Sequence, residues 1–225
     1  MKRALIIPGL GGTADCWSEL FTGRLGSRYI IETTNLPEKG ASVSEFAAEL
    51  FPADPPDLLI GFSIGAAVAQ EILCAHPGAV PVTVLMAPPG GRDLPGPPDE
   101  AHDFSDGRGK WSAAMLEMMF TPDWLAAHPD VTEYFPRVKR SLPGEVLMRQ
   151  SNAIRNWKGC KDKLARVETP VLVIAGLYDI ITPPVHARTV AGLLSDSRLI
   201  MMETGHGFPW QCPVETADKI LEFTN

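Results

Sequence analysis

The sequence predicts an α/β fold: a reduced six-stranded, mostly parallel sheet with helices on both faces and a helical insertion. Three observations carry that expectation. Short apolar runs recur along the chain. Helical patterns lie between most of them. The alternation breaks once, between about residues 90 and 165.

The runs are ALIIPG (4–9), YIIETT (29–34), DLLIGF (57–62), VTVLMA (82–87), VLVIAG (171–176) and RLIMME (198–203). Most are continuous rather than alternating, and several are rich in Val and Ile. Such runs are buried on both faces, as in a parallel sheet. Apolar positions at helical spacing fill 15–25, 42–51, 64–75, 184–194 and 213–223. Ser42, with Glu45 three residues on, forms a capping box. The pair His76-Pro77 closes the third helix, because the residue before a proline avoids helical geometry. Pro184 and Pro213 open the last two, where a missing N–H costs nothing.

The break begins with PPGGRDLPGPPDEAHDFSDGRG (88–109), whose Pro, Gly and Asp content reads as loop. Helical pieces follow at 110–120, after Thr121 and Pro122, and in VTEYFPRVKRSL (131–142) and GEVLMRQSNAIRNWKGC (144–160). Met115, Met118, Met119 and Met148, four of the eight methionines, lie here with Trp111, Trp124 and Trp157. The chain therefore reads as a single domain, 1–225, with a cap at about 90–165 whose apolar underside lines a pocket. Trp124, Met119, Met148 and Trp157 are the expected lining.

Composition narrows the function. The 225 residues are 45% hydrophobic and 21% charged, ordinary for one globular domain. A net charge of -7 argues against nucleic acid or an anionic membrane as partner. A small-molecule substrate is the expected partner. The N-terminal apolar run is too short for a signal peptide, and no run is long enough to span a bilayer. Cys16, Cys74, Cys160 and Cys212 are scattered without a CxxC, so neither a metal site nor a disulfide framework is expected. A cytoplasmic location fits.

Gly61-Phe62-Ser63-Ile64-Gly65 is a G-x-S-x-G at a strand-to-helix junction. The glycines permit a sharp turn that pushes the serine forward as a nucleophile. A serine hydroxyl needs a base, and the base needs an orienting acid. Of five histidines, His76 stands at a helix end, His102 and His128 in the insertion, and His186 inside a helix. His206 stands in a glycine-flanked loop after the last strand, where open α/β sheets place their sites. Asp179, after the fifth run, is the preferred acid over Asp93, which follows the fourth. The chain order Ser63, Asp179, His206 supports that preference. The backbone N–H groups of Ile64 and Leu10, the latter in Pro8-Gly9-Leu10-Gly11-Gly12, would bind an oxyanion.

With these residues in place, the chain resembles the α/β-hydrolase superfamily along nearly its whole length. The matching stretches are FSIGAAVAQ, TPVLVIAGLYDIITP and GHGFPWQCP. The cap is most similar to that of the 3-oxoadipate enol-lactonase and esterase group, through FTPDWLAAHP (120–129) and SNAIRNWKGCKDKL (151–164). The resemblance implies ester, lactone or thioester hydrolysis through an acyl-enzyme, on a small, largely apolar substrate, with no cofactor or metal. It also implies that a leading hairpin is absent, leaving an exposed sheet edge that could pair two copies. Many members carry histidine where this chain has Pro8. Arg149, Arg155 and Lys158 could orient a carboxylate, but read better as a solvated helix face. The alternatives are a C–C hydrolase, lyase or cofactor-free oxygenase on the same scaffold, or a receptor or biosynthetic partner with an idle triad.

Overall fold

A computed structural model describes residues 1–97, 117–129 and 142–225. Its strands are β1 (Lys2–Ile7), β2 (Tyr29–Thr33), β3 (Leu58–Phe62), β4 (Val82–Met86), β5 (Val171–Gly176) and β6 (Ser197–Met202). Its helices are α1 (Glu19–Leu25), α2 (Val43–Leu50), α3 (Ile64–Ala75), α4 (Pro122–Ala127), α5 (Gly144–Asn156), α6 (Lys161–Leu164), α7 (Pro184–Leu193), α8 (Phe208–Gln211) and α9 (Pro213–Phe223). The strands form one sheet in the order β2-β1-β3-β4-β5-β6, and every neighbouring pair is parallel.

The continuous apolar runs have the physical cause expected of them. Leu5, Ile7, Leu59, Leu85 and Val173 pack on one face, with α2, α3 and α7. Ala4, Ile6, Ile60, Val84, Leu172 and Ile174 pack on the other, with α1 and α9. Successive side chains of one strand thus enter two different cores. Each fully buried Leu or Ile contributes about 1.5–3 kcal/mol, so neither face can be polar. The edge strand β6 is only partly buried, which matches its weaker pattern.

Local chemistry sets the helix ends. Ser42 Oγ accepts from Glu45 N–H at 3.2 Å, as a capping box requires. The return bond shifts by one residue: Glu45 Oε2 accepts from Ala41 N–H at 2.6 Å. The first helix is shorter than expected. Ser18 caps it by accepting from Phe21 N–H, and the preceding residues form a tight turn with Cys16 N–H on Thr13 O. Thr121 and Pro122 open α4 as expected. Most of the piece at 110–120, nearly all of 131–142, and Trp111, Met115 and His102 lie outside the described residues. Of the loop at 88–109, only 88–97 is described. Among the described residues no helix is long and apolar enough to cross a membrane.

The topology places the site. The chain leaves β1 toward β2 on one side and returns to β3 on the other, so the order reverses between β1 and β3. Open α/β sheets bind ligands at the carboxyl ends of strands beside such a reversal. The Pro8–Gly12 turn and Ser63 both stand there.

Candidate active site

Ser63 joins β3 to α3 with φ 53° and ψ -121°, a conformation that side chains rarely adopt. Holding it costs of order 1–3 kcal/mol. Glycines on both sides make it attainable. A β-carbon on Gly61 would lie 2.4 Å from Gly65 O, and one on Gly65 would lie 2.4 Å from Ile7 O and Pro8 O. The start of α3 therefore rests directly on the backbone at the end of β1. A serine at a helix N-terminus usually caps it, yet the Ser63 side chain makes no such bond. Its hydroxyl is left for other chemistry, and it opens into a pocket.

His206 is 3% exposed and Asp179 is 3% exposed. His206 Nδ1 donates to Asp179 Oδ2 at 2.7 Å. A nitrogen facing a carboxylate carries the proton, so Nε2 holds the free lone pair of a general base. Asp179 Oδ1 accepts from Ile181 N–H at 2.9 Å and from Thr182 N–H at 2.7 Å. Both carboxylate oxygens are thus satisfied and the imidazole has one orientation. Close backbone approach also fixes the histidine loop. Gly207 N–H donates to Met119 O, and a β-carbon on Gly205 would fall 2.6 Å from that oxygen. The ring of Phe62 supports His206 from below, at 4.9 Å between centroids. Asp93, the rival acid, is exposed and pairs with Lys161 at 3.4 Å.

Ser63, His206, Leu10 and Ile64 all line one pocket of about 320 Å³. Ile64 is the first residue of α3, where backbone N–H groups lack intrahelical partners. The Pro8–Gly12 turn is closed by Gly12 N–H on Gly9 O at 3.0 Å. Met119 and Trp157 line that pocket too. Two of the expected lining residues do not. Met148 is 42% exposed, because it lies off the buried stripe of α5 that carries Val146, Leu147, Gln150 and Ala153. Trp124 stacks on Phe120 and His128 instead of facing the cavity. Cys16 is a second nucleophile type in the wall, but burial pushes its thiol up to about 12, so it stays neutral at pH 7. Among the described residues no cluster of His, Cys, Asp and Glu could hold a metal ion.

Two structural residues went unread in the sequence. Gln150, fully buried in α5, accepts from Gly11 N–H at 2.9 Å and donates to Pro37 O at 2.9 Å. It ties the cap to the turn that carries Leu10. His186, buried in α7, accepts from Gly90 N–H at its Nδ1 (2.9 Å) and reaches Pro95 O from Nε2 (2.7 Å). With Nδ1 an acceptor, His186 is neutral and its Nε2–H donates. It pins the 90–95 wall of the pocket. Gln150 shares its buried stripe with a second polar residue, Ser151, and His186 stands between apolar positions of α7, which was the available signal.

The model of the alpha/beta hydrolase family matches residues 4–219. The chain belongs to that family. A pimeloyl-[acyl-carrier protein] methyl ester esterase of Neisseria meningitidis serogroup B is 24% identical, over 93% of this chain and 87% of that protein. Among solved structures, an enol-lactonase from Burkholderia xenovorans superposes with a TM-score of 0.81 at 14% identity, covering 100% of this chain and 92% of that one. A thermophilic esterase from Thermogutta terrifontis gives 0.78 at 17% identity, covering 100% and 89%. At those identities the two structures speak to the fold. Family membership makes the chain a hydrolase.

Two outcomes follow from the positioning residues. Gln150→Leu removes the acceptor of the half-buried Gly11 N–H, a loss of about 0.5–1.5 kcal/mol. Steady-state kinetics on an ester should show kcat falling more than KM rises; an unchanged kcat would contradict the role. Burial lowers the His186 pKa below its ordinary 6.5. The unfolded chain then takes up this proton at higher pH than the folded one. The stability from neutral His186 is full above 6.5 and is lost as pH falls through the folded value. His186→Gln can keep both hydrogen bonds without titrating. Denaturant melts should show the wild type losing more stability than this variant between about pH 7 and about pH 5; equal losses would refute it.

Proposed function

We propose that the protein is a serine carboxylic-ester hydrolase working through an acyl-enzyme. The observation that carries this is the buried His206–Asp179 pair, opening onto the same pocket as a serine held in a strained, non-capping position. Ser63 Oγ attacks the ester carbonyl as His206 Nε2 takes its proton. Asp179 keeps the imidazole in the correct tautomer and stabilises the imidazolium. The N–H groups of Leu10 and Ile64 receive the oxyanion, each worth about 2.7–4 kcal/mol in the transition state. The imidazolium then protonates the leaving alcohol. His206 next activates water, which releases the acid and frees Ser63.

The pocket size and its wall of Leu10, Phe62, Met119, Ile154, Ile181 and Trp210 favour a small, largely apolar acyl or alkyl group. Esters, lactones and thioesters share the carbonyl chemistry. The relative's action on a methyl ester agrees with this reading. A cytoplasmic site of action belongs to the same proposal.

The test is release of 4-nitrophenolate from short and medium 4-nitrophenyl esters by wild type, Ser63→Ala and Asp179→Asn. Multiple turnover should be lost in Ser63→Ala and reduced by roughly 10⁴ in Asp179→Asn, as when a triad base loses its orienting acid. Equal turnover in wild type and Ser63→Ala would overturn the assignment.

A further inference from the structure

The pocket carries an electrostatic bias that the catalytic reading does not use. The chain has 27 acidic and 20 basic residues. Yet no carboxylate lines the cavity among the described residues, and its only lining cations there are Arg92 and Arg155. These come from separate elements, the segment after β4 and helix α5. Backbone contacts tie the Arg92 segment to the residues that end α5. Arg92 N–H donates to Trp157 O at 2.9 Å, and a β-carbon on Gly91 would lie 2.5 Å from Lys158 O. Among the described residues neither guanidinium makes an ion pair or hydrogen bond. The nearest carboxylate in sequence, Asp93, is engaged by Lys161. His186, also in the lining, is held neutral and adds no charge.

Arg92 and Arg155 are both exposed, and both line a pocket of otherwise apolar character; such a pair suits a planar or tetrahedral anion, which a guanidinium fork binds with two parallel hydrogen bonds. We infer that Arg92 and Arg155 form an anion subsite that recognises a carboxylate or phosphate on the substrate, away from the ester that Ser63 attacks. The substrate class is then an ester with an apolar body and an anionic end. This rests on the hydrolase reading for its chemistry, though not for its binding. Arg155 lies on the exposed side of α5, as a solvated helix face would have it, and on this reading also lines the subsite. Arg149 does not share it, because its guanidinium donates to Glu38 O.

The experiment compares ethyl half-esters of glutaric, adipic and suberic acids with ethyl pentanoate, hexanoate and octanoate, in wild type, Arg92→Gln and Arg155→Gln. Acid release at low salt gives the ratio of kcat/KM for each half-ester over its neutral partner. The subsite predicts a ratio above one in the wild type for at least one length, falling about tenfold in each variant through KM. The preference should shrink with added salt. Inhibition by pentanoate against butyl phosphate separates the two anions. Calorimetric titration of Ser63→Ala with the same esters reads binding without turnover. Tighter binding of half-esters, with no turnover in wild type, would sink the hydrolase reading and keep the subsite. Equal binding of charged and neutral esters, or a ratio unchanged by both substitutions, would overturn the subsite.

Discussion

The site depends on one backbone constraint: Ser63 must sit at positive φ where β3 hands over to α3. No side chain prefers that conformation, so the surroundings have to impose it. They do so by contact too close for a β-carbon, Gly61 against Gly65 and Gly65 against the end of β1. Ser63 N–H is also held, donating to Met86 O at 2.9 Å on the neighbouring strand. The strain aims a hydroxyl away from its own helix; Ala66 and Ala67 N–H donate to Ser63 O, which leaves Ile64 N–H, in the lining of the pocket, without a backbone acceptor among the described residues.

The same device recurs around the pocket. Gly176, at the end of β5, would clash with Gly205 O at 2.3 Å if it had a β-carbon. That contact sets the acid-bearing loop against the histidine loop. Gly205 and Gly207 in turn let Met119 and Phe120 pack against the loop that carries His206. The acid, the base and the cap are therefore positioned backbone to backbone, where side-chain rotamers cannot blur the geometry. Gln150 extends the arrangement to the turn after β1 through a fully buried amide.

Much of this was legible in the sequence because it rests on local rules. Continuous apolar runs reported double-sided burial, prolines and Ser42 marked helix ends, and G-x-S-x-G marked the elbow. The legible part stops where tertiary geometry decides. Which methionine faces the pocket depends on the rotation of α5, and Met148 turned outward. Trp124 found aromatic partners in its own short helix. Arg92 sat in a Pro/Gly-rich stretch with no periodicity to give it a direction, and only the contact with 157–158 ties its segment to the end of α5. Gln150 and His186 are polar residues at buried helical positions, but their partners lie far away in sequence.

The most direct test of the elbow constraint is thermal unfolding of Ser63→Gly beside Ser63→Ala. Both lack the hydroxyl, so any difference between them reads the backbone. Glycine gives up about 0.5–1 kcal/mol through the freedom of its unfolded chain, against about 1–3 kcal/mol of relieved strain. The account predicts that Ser63→Gly melts higher than Ser63→Ala. A glycine variant that melts at or below the alanine variant would mean that Ser63 is unstrained, and that the elbow does not hold it under tension.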